Sequence, residues 1–288
     1  MPVTTADIRA TICNKMTTTM DDSEKLFIES VRPAPGDSPE RLGLKLAVVA
    51  CVWEPAAEHA AIADELISLG ADVHVRNDNG CTALLNAAAA GNASLVAKLL
   101  EKGADPNAAD NRDEQLGPAI CHAAHKQSAE TIRLLIKAGA NPDAQEKPGG
   151  RSALILAIDY TEEAYKGATP DCVKALIEGG ANPDLATRKG WTPLLYCFAR
   201  DMPETAKYLL QNGADPELKT AIDTPYATAK RSFPDVAEFI LHVIAQKRED
   251  ERLAQAEREK FDDWTNTGCP TSSTTTVMPR LKLLRPKV

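Results

Sequence analysis

The sequence predicts an all-α repeat protein in which pairs of short helices stack side by side into a solenoid. A Gly-Ala-Asp or Gly-Ala-Asn segment recurs near the ~33-residue period of helix-pair repeats, with its glycines at Gly70, Gly103, Gly139, Gly180 and Gly213. A start of Thr or Ser, then Ala or Pro, then Leu recurs at Thr82, Ser152 and Thr192. Aromatic residues are only 5% of the chain whereas hydrophobic residues reach 43%, as in an alanine- and leucine-rich helical core. A single helix pair cannot bury its own apolar side, so we expect the copies to fold only as an array.

Residues 77–109, the most regular copy, give a local reason for each part of the repeat. Thr82 precedes the first helix, where its hydroxyl can accept from the unpaired N–H groups of the first turn. The second helix has apolar residues at helical spacing, including Leu95 and Leu99, so one of its sides is expected to be buried. Gly103 follows this helix and tolerates the positive φ with which many helices end.

These segments resemble the ankyrin repeat. The resemblance rests on Thr192-Pro193-Leu194 and its variants at Thr82 and Ser152, together with the five Gly-Ala-Asp/Asn segments. The family pattern includes Thr-Pro-Leu-His and implies a β-turn followed by two antiparallel helices. The resemblance therefore implies an ankyrin-repeat solenoid of about five to six helix–turn–helix repeats with β-turn loops.

The predicted organisation has four parts. Residues 1–40 lack repeat character and are expected to be a partly disordered leader, and residues 41–246 to be the ankyrin repeat array. Residues 247–264 read as a charged helix, because their mixed charges support pairing four residues apart. Residues 265–288 are expected to be a flexible tail, rich in Thr and Ser and basic towards its end.

Three copies depart from the pattern. The first, residues 41–75, is divergent, as terminal copies usually are, and has an insertion at residues 53–55. The fourth has an insertion at residues 160–170, in the same place between its two helices. In the third, Pro118 stands where the capping Thr is expected, which leaves the geometry of that turn open.

Composition and charge exclude several classes of function. The formal net charge of −8 argues against non-specific nucleic-acid binding through the whole surface. The seven cysteines are an odd number without a close CxxC pair, which is typical of reduced side chains in a reducing compartment. The sequence starts with no signal-peptide pattern, and the apolar run at residues 42–53 is too short to span a bilayer. We therefore expect no membrane association and a location in the cytoplasm or the nucleus.

The sequence contains no recognisable catalytic motif. It lacks a P-loop, a Gly-x-Ser-x-Gly elbow and a His-Glu-x-x-His pair. Cys121 and His125 lie four residues apart beside His122, so they could face one metal ion. No fourth ligand is evident, and packing is the favoured interpretation of all three. We therefore predict a protein that is not an enzyme, with no cofactor, no metal and no small-molecule substrate.

The resemblance also implies where a partner binds, because ankyrin repeats usually use the tips of the turns and the concave side of the first helices. Carried over position by position, this surface includes Asp78, Asn79, Lys126, Arg151, Tyr160, Arg188, Lys189, Trp191 and Arg200. Five of these are basic in a chain that is acidic as a whole. The predicted function is a scaffold or adaptor that binds another protein, with an acidic segment as the expected ligand.

Three alternatives stay open at this point. An inhibitor or effector could block an enzyme through the same surface, which sequence cannot distinguish from an adaptor. A catalytic site could lie in an unrecognised terminal piece. Asn107 resembles the asparagines that intracellular hydroxylases modify in ankyrin proteins, so the chain could instead be a substrate.

Overall fold

The computed structural model describes residues 27–51, 57–110, 117–160, 169–220 and 224–266 of the 288-residue chain. After a helical turn at residues 27–31, these residues form twelve α-helices. The helices, numbered in chain order, are α1 Pro39–Val49, α2 Ala57–Ser68, α3 Ala83–Ala90, α4 Ala93–Glu101, α5 Ala119–His125, α6 Ala129–Lys137, α7 Ala153–Asp159, α8 Asp171–Glu178, α9 Pro193–Ala199, α10 Pro203–Gln211, α11 Pro225–Ser232 and α12 Pro234–Asn266. The all-α repeat solenoid predicted from the sequence is confirmed.

The helices lie in two rows. The first helices of successive copies pack against one another from α1 through α3, α5, α7 and α9 to α11, and each contacts the second helix of its own copy. In the second row, α4 packs on α6, α6 on α8, and α10 on α12. One continuous apolar cluster runs from Ile28 to Ile244. Each copy therefore completes its core with side chains of its neighbours, as repeat arrays do.

Hydroxyl caps begin five of the first helices. Before α1, the Ser38 hydroxyl accepts from the Arg41 N–H at 3.2 Å. The side-chain oxygens of Thr82, Ser152, Thr192 and Thr224 each accept a hydrogen bond from the N–H three residues later. Pro118 occupies this position before α5 and offers no side-chain cap. Its ψ of 152° is nevertheless extended like that of Thr82, and Pro118 forms an isolated antiparallel bridge with Ala109. The turn of the third copy thus keeps the shape of the others without the hydroxyl.

Side chains of the long turns join one copy to the next. Asn107 donates to the carbonyl of Gly139 at 3.0 Å and accepts from the N–H of Asn141 at 2.8 Å. Equivalent acceptors in later copies are Asp143 to Asn182 N–H at 2.7 Å and Asp184 to Asp215 N–H at 2.8 Å. Because Asn107 uses both ends of its amide, it has a structural role in fixing the spacing of the second and third copies.

The chain before α1 covers the first end of the array. Val31 is fully buried, and the ring of Phe27 lies 5.6 Å from that of His59 on α2. The buried Lys45 of α1 donates to the Arg32 carbonyl at 2.6 Å and to Asp37 at 2.7 Å. Burial acts to raise the pKa of Asp37, but its bonds with Lys45 and the Ala34 N–H lower it overall. Residues 27–38 therefore pack on the array, ahead of residue 41, where the sequence predicts its start.

The last helix is continuous through residue 246, where the sequence suggested a boundary. α12 spans 33 residues, and its first part packs on α10 and α11. From residue 245 to residue 259 every side chain is exposed except the half-buried Ala254. The expected leader before residue 27, the whole first insertion, residues 161–168 of the second insertion and the tail after residue 266 lie outside the described residues. Of the helices in the described residues, none has both the length and the apolar character needed to cross a membrane.

Candidate functional site

The predicted contact residues occupy two kinds of position. Asp78 and Asn79 lie in the turn before α3, Arg151 in the turn before α7, and Arg188, Lys189 and Trp191 in the turn before α9. Lys126, Tyr160 and Arg200 occupy the same C-cap position after α5, α7 and α9. We call the turns before the first helices, together with these C-cap residues, the first-helix surface. The third to fifth copies of the array contribute most of the predicted residues to this surface, whereas Asp78 and Asn79 lie two copies before Arg151.

An ion-pair cluster occupies the middle of this surface. The Arg151 guanidinium binds both oxygens of Glu146, at 2.5 and 3.0 Å, and donates to Asp159 at 2.7 Å. The other Asp159 oxygen accepts from Arg200 Nε at 2.9 Å. Glu146 has a side chain only 2% exposed, so the bidentate pair fixes Arg151 firmly. Asp159 thereby links arginines of the fourth and fifth copies.

This cluster changes the charge expected of the surface. Sequence alone counts Arg151 and Arg200 as positive, but Glu146 and Asp159 supply two compensating carboxylates. The centre of the surface is therefore close to neutral. Arg188 and Lys189 are both exposed, and no ion pair involving either is found within the described ranges. In the fourth and fifth copies, the positive charge of the first-helix surface is thus concentrated at the turn tip before α9.

Aromatic rings flank the cluster. Tyr160 is 40% exposed, its ring centroid lies 4.1 Å from that of His125, and Arg151 Cζ lies 5.5 Å from the Tyr160 centroid. Burial, followed by the nearby His122 and Arg151, lowers the pKa of His125. His125 is therefore neutral at pH 7 and presents a ring rather than a charge. Together the three side chains form a rigid, partly exposed stacking surface.

Trp191 has a mainly structural environment. It is half-buried, its ring meets Tyr196 edge-on at 5.5 Å, and its backbone N–H donates to Thr187 Oγ1 at 3.1 Å. Burial raises the pKa of Tyr196, and the neighbouring Asp159 raises it further. Trp191 thus closes the turn that carries Arg188 and Lys189, and only part of its ring is available to a partner.

Two cations of the surface lie over glycines of the preceding copy. A Cβ at Gly150 would lie 2.8 Å from Arg188 Cγ, and one at Gly91 would lie 3.0 Å from Lys126 Cγ. Both glycines also have positive φ, of 67° and 74°. The Arg188 N–H donates to the Gly149 carbonyl at 3.2 Å. The stem of Arg188 is therefore held over Gly150, the residue that precedes Arg151 in the chain.

The Cys121–His125 pair does not converge on a common point. Cys121 is fully buried, and its thiol donates to the Ala144 carbonyl at 3.4 Å. Burial raises the pKa of Cys121, with Glu146 and Asp110 acting in the same direction. His125 instead stacks on Tyr160 at the surface. Among the residues that the structure describes, no group of three or more His, Cys, Asp or Glu side chains is placed to hold a metal.

A second histidine supports the fold beneath the surface. Asp110 is 1% exposed, accepts from the Gly117 N–H at 2.8 Å and lies 3.2 Å from His122 Nε2. Burial acts to raise the pKa of Asp110, but His122 and the Gly117 N–H lower it overall. These bonds tie the end of the second copy to the start of α5.

Sequence reasoning missed Glu146, which holds the site's central arginine. The available signal was weak: Glu146 precedes Arg151 by five residues across a turn. In the structure this turn is closed by the Glu146 N–H, which donates to the Arg151 carbonyl at 2.9 Å. Residue spacing within a turn does not show that the Glu146 carboxylate is buried. From sequence alone, Arg151 therefore looks like a cation that is free to bind a partner protein.

Comparison with known proteins gives one consistent result. Residues 49–146, 120–220 and 159–250 match the family model for ankyrin repeats (three copies). Among solved structures, the chain is similar to an ankyrin repeat domain from Acinetobacter baumannii. The TM-score is 0.58 and the identity 25%, over 69% of this chain and 96% of that one.

Three curated proteins are also similar over part of their length. A B-cell lymphoma 3 protein homolog of Mus musculus is 35% identical over 143 residues, which are 49% of this chain and 30% of that protein. The nuclear factor NF-kappa-B p105 subunit of Gallus gallus is 31% identical over 102 residues, 35% of this chain and 10% of that protein. A putative ankyrin repeat-containing protein of Treponema pallidum is 36% identical over 89 residues, 31% of this chain and 29% of that protein. The matched regions span less than a third of each of these proteins.

Proposed function

Because this chain belongs to the ankyrin repeat family, whose repeats generally act as non-catalytic protein-interaction modules, we propose that it is an adaptor that binds a segment of another protein through the first-helix surface. The observation that carries the proposal is that the first-helix surface exposes both the Arg188–Lys189 pair, at the turn tip before α9, and the ring of Tyr160, after α7. Aromatic and arginine side chains are the ones most enriched in binding hot spots.

The chemistry of the surface specifies the kind of segment that fits. The compensated centre favours an apolar or aromatic side chain on Tyr160 and His125, because the nearby arginine charges are already paired. The turn tip favours a carboxylate near Arg188 and Lys189. In a chain of net charge −8, this local positive charge would steer an acidic segment to one place. We therefore propose an acidic segment with at least one apolar anchor as the ligand.

Reversing the charge of the turn tip is expected to weaken partner binding. For the variant Arg188→Glu with Lys189→Glu, the affinity for partners captured by the wild-type chain should fall at least about tenfold, or ~1.4 kcal/mol. Both side chains are exposed, so the substitutions should leave the fold intact. Binding is to be measured at low and high salt, because a steered contact weakens as salt screens it.

The matched control makes the same change of charge on the other row. Arg133 and Lys137 are exposed residues of α6, so Arg133→Glu with Lys137→Glu alters net charge equally without touching the first-helix surface. This variant should bind like the wild-type chain. Equal loss of binding in both variants would mean that net charge matters and that the assigned surface is wrong.

A further inference from the structure

A groove opens on the other row of helices, between α10 and α12. Its volume is about 670 Å³, and its apolar lining includes Leu210, Phe239, Val243 and Ala254. Asp250 and Glu251 stand at the far end of the same groove. The groove is formed by second helices only, so it is separate from the first-helix surface.

The part of α12 that forms this far end has little of the protein to pack on. Ile244 is the last residue of α12 in the continuous core, and Ala254 lies ten residues, or about 15 Å of helix, beyond it. Phe239 and Val243 remain only half-buried at the floor of the groove. Helices of globular proteins gain most of their stability from packing of an apolar side. A segment that covered this part of α12 would therefore stabilise it.

We propose that the C-terminal residues 278–288 of the same chain dock in this groove. They include Leu281, Leu283 and Leu284, interspersed with Arg280, Lys282, Arg285 and Lys287. The leucines would cover Phe239 and Val243, and the basic side chains would lie near Asp250 and Glu251. The groove and this segment thus match in apolar character. They also match in charge, because the two carboxylates of the groove outnumber its one basic side chain, Lys247.

Residues 267–277, which connect the end of α12 to the proposed docking segment, are long enough for that segment to reach the groove. From the end of α12 at Asn266 back to Gln246, a groove residue, the helix runs twenty residues, which is about 30 Å. The eleven residues 267–277 can span at most about 36–40 Å when extended. They are therefore long enough to bring residue 278 to the middle of the groove and too short to reach far beyond it.

The charges of the two segments are also complementary. Residues 234–259 of α12 contain seven acidic and four basic side chains, whereas residues 267–288 contain four basic side chains and no acidic one. The tether itself favours contact, since joining two segments through a short linker gives an effective concentration of the order of millimolar. A contact of modest intrinsic affinity would then be occupied most of the time.

A disulfide trap in the full-length chain tests this contact. Gln246→Cys with Leu284→Cys, made with Cys269→Ser, is expected to form a bond between positions 246 and 284 within one chain under mild glutathione oxidation. Peptide mass spectrometry without reduction would identify it. The matched control is Leu253→Cys with Leu284→Cys, since Leu253 lies on the same helix, is 53% exposed and does not line the groove. The bond at 246 should exceed that at 253 at least fivefold.

A second variant separates docking from mere tethering. Adding Leu281→Asp and Leu283→Asp to the 246–284 pair should lower the yield of the bond at least fivefold, because it removes the apolar contact and keeps the tether. Equal yields at 246 and 253 would overturn the proposal. A bond that joins two separate chains would also overturn it, since the groove would then belong to a second copy.

Discussion

Deletion of residues 223–288 is expected to make the protein aggregate. α11 and α12 cover the last side of the fifth copy, where Phe198 stacks on Phe233 with ring centroids 5.4 Å apart. Ile240 of α12 is fully buried in the same core. Without these helices the apolar sides of α9 and α10 face water, and terminal repeats are needed to keep such arrays soluble.

Light scattering coupled to size exclusion, at one fixed protein concentration, measures this outcome. The control is deletion of residues 267–288 alone, which leaves α11 and α12 in place. That shorter deletion should stay unaggregated, whereas the longer one should aggregate. A chain of residues 1–222 that stays unaggregated and melts as the full-length chain does would show that the terminal helices do not complete the core.

The substitution Leu99→Ala is expected to lower the free energy of unfolding by about 2–5 kcal/mol. Leu99 of α4 is completely buried and belongs to the continuous core, so truncation leaves a cavity that neighbouring helices fill only in part. Because α4 packs on both α3 and α6, the loss of stability should extend to the neighbouring copy. Denaturant unfolding followed by circular dichroism measures it, with the slope checked for constancy.

Leu253→Ala provides the matched control for this substitution. The same side chain is removed from a helix position that is 53% exposed, so the change in unfolding free energy should stay within about 0.5 kcal/mol. If Leu99→Ala lowered the free energy of unfolding no more than Leu253→Ala does, the second helices would not be packed as they are in the structure.

The fold could be predicted because each repeat carries its own local signals. The hydroxyl of Thr82 and the positive φ of Gly103, 86° in the structure, act within a few residues of the chain. A helix start and a helix end can therefore be placed from sequence. The continuous α12 was harder to predict, because its sequence changes from apolar to charged near Lys247 without a residue that ends a helix.

The chemistry of the surface was less predictable, because it depends on contacts between copies. Arg200 meets Asp159 across 41 residues of chain, and no spacing rule within one repeat connects them. For Cys121 and His125, four residues apart on α5, the sequence favours packing over a metal site, and in the structure Cys121 faces the core and His125 the surface. Burial, which separates the two, is a property of the stacked copies.

Photo-crosslinking on the two rows of helices tests the central claim most directly. Benzoylphenylalanine is to replace Tyr160, which is exposed on the first-helix surface, or Tyr208, a half-buried aromatic of α10 on the other row. The same partner captured by the wild-type chain should crosslink at position 160 and not at position 208. Crosslinking at position 208 with none at position 160 would place the partner on the second helices and contradict the account.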